Sequence, residues 1–138
     1  MTRPGFLIDK SALSRSHLPG VAARLEPIFE QGLAATCPII DLEVLFSARN
    51  LEEWDDIRYR RRFAYTSVVI DGATFDRALA VQRELARTGR HRLPIPDLLI
   101  AAAAEQAELV VLHYDADFDR IAEITGQPVE WVAPRGSL

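Results

Sequence analysis

Two apolar runs stand out from an otherwise mixed chain. Gly5-Phe6-Leu7-Ile8-Asp9 and Leu109-Val110-Val111-Leu112-His113 show no polar alternation, and turn-forming or polar residues follow each at once. That is the pattern of strands buried on both faces of a parallel sheet. Shorter strands are predicted at 33–36, 66–70 and 129–132. Between them, Val21, Leu25, Ile28 and Phe29 recur with the helical period, so 18–31 predicts an amphipathic helix. Pro38 suits the first turn of a helix running to about Arg49. A helix over 51–62 carries Glu52, Glu53, Asp55 and Asp56 towards its positive end and Arg58, Arg60, Arg61 and Arg62 at its negative end. Asp71 or Thr74 caps a helix that reaches Arg87 and is stopped by Gly89. Pro96-Asp97 opens another, to about Ala107, and Asp115 or Asp117 opens the last, which ends near Gly126. Alternating strands and helices predict an α/β/α sandwich around a mainly parallel five-stranded sheet, with residues 1–138 forming one domain.

This topology makes the acidic residues informative. In an open parallel sheet, residues just after each strand gather along one edge, where ligands bind. Asp9 ends the first strand and Asp115 closely follows the 109–113 strand. Asp97 begins the helix that feeds that strand, and Glu43 lies about one and a half turns into the helix opened by Pro38. These carboxylates, remote along the chain, are expected to converge. Each also has an ordinary reading: Asp97 and Asp115 or Asp117 as helix caps, Asp9 as a turn former. Glu43 fits an ordinary reading least, because Ile39, Ile40, Leu42, Val44, Leu45 and Phe46 surround it and a buried carboxylate needs a cation or a shifted pKa. Asp41 is expected on the solvated side of that helix. An all-oxygen cluster selects a hard ion, Mg²⁺ or Mn²⁺, which suits phosphodiester hydrolysis.

Composition narrows the setting. With 49% apolar and 26% charged residues, the 138-residue chain can form one core and is not a disordered polymer. Its single cysteine, Cys37, excludes an internal disulfide framework or a cysteine-rich zinc site and fits a reducing compartment, most simply as a small buried filler. No apolar run approaches the ~18 residues of a membrane span, and Asp9 arrives too early for a signal-peptide core. A cytoplasmic protein with no membrane role is expected. Sixteen basic against twenty acidic residues leave a net charge of −4, so no global positive field attracts nucleic acid. The only lysine, Lys10, lies beside the first strand. A signalling receiver needs one after a late strand, which argues against that class.

Four segments carry a resemblance. Phe6-Leu7-Ile8-Asp9-Lys10-Ser11-Ala12-Leu13, the 40–49 segment around Glu43, the 94–104 segment around Asp97, and His113-Tyr114-Asp115-Ala116-Asp117-Phe118 resemble, in order, the motifs of PIN-domain ribonucleases. The similarity is closest to VapC toxins of prokaryotic toxin–antitoxin pairs. It implies a PIN-like fold and a Mg²⁺- or Mn²⁺-dependent endoribonuclease toxin. Such an enzyme cleaves structured RNA (tRNA or rRNA) and inhibits translation. It implies a homodimer, held in a toxin–antitoxin hetero-oligomer by a VapB-type antitoxin. By position, Asp9, Glu43, Asp97 and Asp115 take the catalytic roles. Asp9, Asp97 and Asp115 bind the metal, with Asp117 sharing or replacing the part of Asp115. Ser11 orients Asp9 or contacts phosphate. The alternative is a catalytically inactive PIN-like scaffold acting through protein or RNA binding.

RNA contacts are sought in two basic groups. Arg58, Arg60 and Arg61, with Tyr59 available to stack on a base, form one; its plainer reading is a solvated helix end. Arg90 and Arg92, flanking His91 near Gly89, form the other and point towards Asp97. His17 and His113 lack metal-ligand spacing. Trp54, among polar neighbours, offers an anchor for a dimer or an antitoxin helix.

Overall fold

A computed structural model describes residues 5–138. In chain order the elements are β1 (Phe6–Ile8), α1 (Lys10–Leu13), α2 (Pro19–Glu30), β2 (Ala34–Thr36), α3 (Pro38–Leu45) and α4 (Leu51–Ala64). They continue with β3 (Thr66–Ser67), α5 (Gly72–Ala86), α6 (Ile95–Gln106), β4 (Val110–His113), α7 (Ala116–Thr125) and β5 (Val129–Trp131). The strands form one sheet in the order β3-β2-β1-β4-β5, with every pairing parallel.

The two apolar runs occupy the middle of this sheet for a simple reason. Side chains along a strand alternate between faces, and here both faces are covered. Leu7, Ala35 and Val111 point into one core, packed against Leu98–Ala104 of α6, Phe118 and Ile121 of α7, and Val81 and Leu85 of α5. Phe6, Ile8, Ala34, Val110 and Leu112 point into the other, against Val21, Leu25 and Ile28 of α2. A polar residue on either face of β1 or β4 would be buried without water. Gly5 leads into β1 because a Cβ there would lie 3.1 Å from the Leu33 carbonyl oxygen.

Several boundaries differ from the sequence expectation. α3 stops at Leu45 rather than near residue 49, because Asn50 turns the chain and caps α4, its side chain accepting from Glu53 N–H at 2.9 Å. α1 is a four-residue helix too short to show a period, started by Asp9 accepting from Ser11 N–H. Asp71 caps α5 in a reciprocal box with Thr74.

Asp41 is not solvated. It is buried, and its carboxylate accepts from Arg61 Nη2 at 3.0 Å, Arg58 Nη1 at 3.2 Å and Thr36 Oγ1 at 2.9 Å. Arg61 is itself buried and stacks over the Tyr65 ring. This cluster ties α4 to α3 and the end of β2. Removing one member of a buried pair leaves an uncompensated charge. Arg61→Ala is therefore expected to lower unfolding stability by about 3 kcal/mol in urea titration; a loss below about 1 kcal/mol, typical of exposed pairs, would contradict the burial of this cluster.

Candidate functional site

Chain order and sheet order diverge between β1 and β4. From β1 the chain builds outwards through β2 and β3, then returns to add β4 and β5 on the other side. The crossovers therefore depart in opposite directions from this point and leave a crevice at the carboxyl edge. Asp9 leaves β1 on one side of the crevice and Asp115 leaves β4 on the other. α6 runs back to feed β4, so its N-terminus, with Asp97, reaches the same edge. α3, following β2, brings Glu43.

Each carboxylate is held differently. Asp9 is buried, and its Oδ2 accepts from both the N–H and the hydroxyl of Ser11, at 3.0 and 2.6 Å. Ser11 Oγ accepts in turn from Tyr114 N–H at 2.9 Å, which links the ends of β1 and β4. Asp115 is the N-cap of α7, and its Oδ1 accepts from Asp117 N–H at 2.9 Å. Asp117 pairs with Arg120. Asp97 does not cap its helix: Pro94 occupies that position, no side-chain cap bond is made, and Asp97 sits buried in the first turn. Glu43 is half-buried, and its Oε1 is shielded from solvent with no hydrogen-bond partner among the described residues.

The electrostatics follow from this crowding. Oxygens of Asp97, Asp115 and Asp117 lie within 4.8 Å of one another. Burial, then the charges of Asp9, Asp115, Asp117 and Glu43, push the Asp97 carboxyl up to about 8. Asp9 is raised by burial and by Asp115, against the lowering effect of the Ser11 bonds. Glu43 is raised by burial and by Asp9, while Lys10 pulls it down. The donors are all oxygen, one is buried and unpartnered, and mutual repulsion is strong. A hard divalent cation fits this set, and a soft ion does not.

The basic residues divide. Arg61 and Arg58 face Asp41, and Arg60 pairs with Asp56 on the surface. Arg90 and Arg92 line an open cavity with Gly89, Leu93, Arg120 and Glu123, where Arg90 also pairs with Glu123. Through Arg120, this cavity adjoins Asp117. Sequence reasoning set His113 aside. The structure buries it completely, with Nδ1 accepting from Asp115 N–H at 3.1 Å. Burial lowers its pKa, against the charges of Asp119 and Asp115. Its only sequence signal was a polar residue ending an apolar strand.

The PIN-domain family pattern matches residues 6–124. Ribonuclease VapC21 of Mycobacterium tuberculosis is 49% identical over 133 residues, 96% of each chain. Ribonuclease VapC51 of the same organism is 45% identical over the same shares. The chain belongs to the PIN-domain family, among the VapC ribonucleases. A chain in a DNA-bound VapBC structure from Salmonella typhimurium superposes with a TM-score of 0.72 at 19% identity, covering 95% of this chain and all of that one. A VapBC2 structure from Rickettsia felis gives 0.74 at 14% identity, covering 91% and 97%. The fold is thus the PIN-like α/β/α sandwich, here with an entirely parallel sheet.

Asp97 supplies a test of the crowding in metal-free protein. Its folded pKa lies above the ordinary 3.8, so between those values the folded chain keeps a proton that the unfolded chain loses. Stability then falls as pH rises through that window. Asp97→Asn removes the penalty. Its melting temperature is expected to exceed the parent's by about 5 °C at pH 8, with the gain vanishing near pH 4; a gain independent of pH would contradict the assignment.

Proposed function

We propose that this VapC-family chain is a ribonuclease toxin, a metal-dependent endoribonuclease that cleaves structured RNA (tRNA or rRNA) and thereby inhibits translation until a VapB-type antitoxin neutralises it. Residues 1–138 act as one PIN-like domain in the cytoplasm. The observation that carries the reading is the crowding at the switch point, where burial and four other acids raise Asp97. Kinship with ribonucleases VapC21 and VapC51 supports the activity, and the VapBC complexes among the structural neighbours support the antitoxin.

Asp9, Asp97 and Asp115 would hold the principal ion, with Asp117 beside them. Mg²⁺ or Mn²⁺ bound there would supply a water of lowered pKa and offset charge building on the phosphoryl oxygens. Ser11 fixes the direction of the Asp9 carboxylate. Glu43 orients the attacking water and takes its proton, a role that its raised pKa suits. The water oxygen bonds to phosphorus as the bond to the 3′ oxygen breaks, and the departing oxygen takes a proton from solvent, leaving a 5′-phosphate and a 3′-hydroxyl. Arg90 and Arg92 meet the RNA backbone in the cavity next to Asp117. Arg60 offers an outlying contact. Arg58 and Arg61 act indirectly, by neutralising Asp41. Exposed apolar side chains on α4 (Leu51, Trp54) and on α5–α6 (Phe75, Leu79, Ile95) are the surfaces that the antitoxin and a homodimer partner would cover.

Antitoxin-free protein incubated with tRNA, rRNA fragments and Mn²⁺ is expected to give discrete 5′-phosphorylated products. EDTA should stop the reaction, and Glu43→Gln should slow it by about 10²-fold or more. Intact RNA in the presence of Mn²⁺ would leave the scaffold reading. A second readout concerns protons. Since Asp97 holds one in metal-free protein at neutral pH, Mn²⁺ binding should release about one, measured by calorimetry in buffers of different ionisation enthalpy. Binding without release would contradict Asp97 as a ligand.

A further inference from the structure

His113 lies at the end of β4 with no solvent exposure, its ring 4.9 Å from that of Trp131 and 5.2 Å from that of Phe118. The bond from Asp115 N–H to Nδ1, 3.1 Å long, fixes its chemical form. A ring nitrogen that accepts is bare, so the proton of this neutral imidazole sits on Nε2. Nε2 has no hydrogen-bond partner among the described residues and faces Asp119 Oδ1 at 3.8 Å. That oxygen is too far for a direct bond yet close enough to favour a proton at that end. The other oxygen of Asp119 accepts from Trp131 Nε1 at 3.0 Å, which holds the carboxylate in place.

The arrangement has a directional consequence. The Asp115 peptide is where β4 gives way to α7, and the same residue's carboxylate approaches Asp97 and Asp117. A bare, buried acceptor beneath this peptide sets the orientation of the N-cap. Water cannot substitute, since His113 is sealed between β4, α7 and β5. A ring with its proton on Nδ1 would instead set two donors against each other.

We infer that His113 is a positioning residue for Asp115, its bare Nδ1 anchoring the peptide that aims the carboxylate into the cation site. This rests on the metal-site reading, so the experiment separates the two. His113→Phe keeps the ring contacts and removes the acceptor; His113→Asn returns an acceptor oxygen near the Nδ1 position. Mn²⁺ titration by calorimetry should show affinity about 10-fold or more weaker in His113→Phe, with His113→Asn recovering most of that loss. Nitrogen-15 NMR of metal-free parent should show the Nε2–H tautomer, coupled across the bond to the Asp115 amide. Parental affinity in folded His113→Phe, failure of folded His113→Asn to restore it, or an Nδ1–H tautomer would each overturn the inference. If His113→Phe does not fold, the asparagine variant and the tautomer decide. If the parent takes up no Mn²⁺, the metal reading fails, and absence of the Nδ1 coupling to the Asp115 amide in the parent would then overturn the anchoring as well.

Discussion

Negative charge gathered at one end of a parallel sheet is the constraint around which this protein is arranged. Asp9, Glu43, Asp97 and the Asp115–Asp117 pair come from separate segments, and burial together with the other four acids pushes the Asp97 carboxyl up to about 8. A folded chain tolerates such repulsion only where the surrounding structure over-determines it. The two cores supply that rigidity. β1 and β4, buried on both faces, fix the ends from which Asp9 and Asp115 depart, and the alanine-rich length of α6 packs closely enough to bring Asp97 between them.

α3 shows how two similar acids acquire opposite fates. Asp41 and Glu43 are two residues apart and so lie on different faces of the helix. Asp41 turns towards α4 and the end of β2, where Arg61, Arg58 and Thr36 satisfy it. Glu43 turns towards the crevice and keeps an oxygen without a partner. The first arrangement is closed and serves the fold. The second is left open towards the crevice. On the far side, Arg120 plays an intermediate part, pairing with Asp117 while lining the cavity of Arg90 and Arg92. Charge thus changes sign across a few ångströms.

Hydrogen bonding beneath the acids matters as much as the acids themselves. Ser11 and His113 both act on main chain at the β4–α7 junction, one by accepting from Tyr114 N–H and the other from Asp115 N–H. Consecutive peptides are therefore held by side chains rather than by sheet or helix. This is how a strand can end abruptly and still present its next carboxylate in a fixed direction.

The linear chain by itself determined the strands, the alternation with helices and the acids at strand ends, because buried parallel strands and amphipathic helices leave a strong period in hydrophobicity. Helix ends were less legible: Asn50 ended α3 early, and α1 was too short to have a period. Only the tertiary structure decided which charges meet. The local pattern set Asp41 on the solvated side of α3, where the fold buries it, and does not show that Pro94 rather than Asp97 takes the cap of α6. Arg61 reads as one member of a solvated basic run, yet it lies buried against an aspartate twenty residues away. His113 reads as an unremarkable strand end, and gains its meaning from Asp119 and Trp131, which α7 and β5 carry back to it. Hydrophobic periodicity is a property of neighbours in sequence, whereas electrostatic and hydrogen-bond partners are set by the crossovers that bring distant segments together.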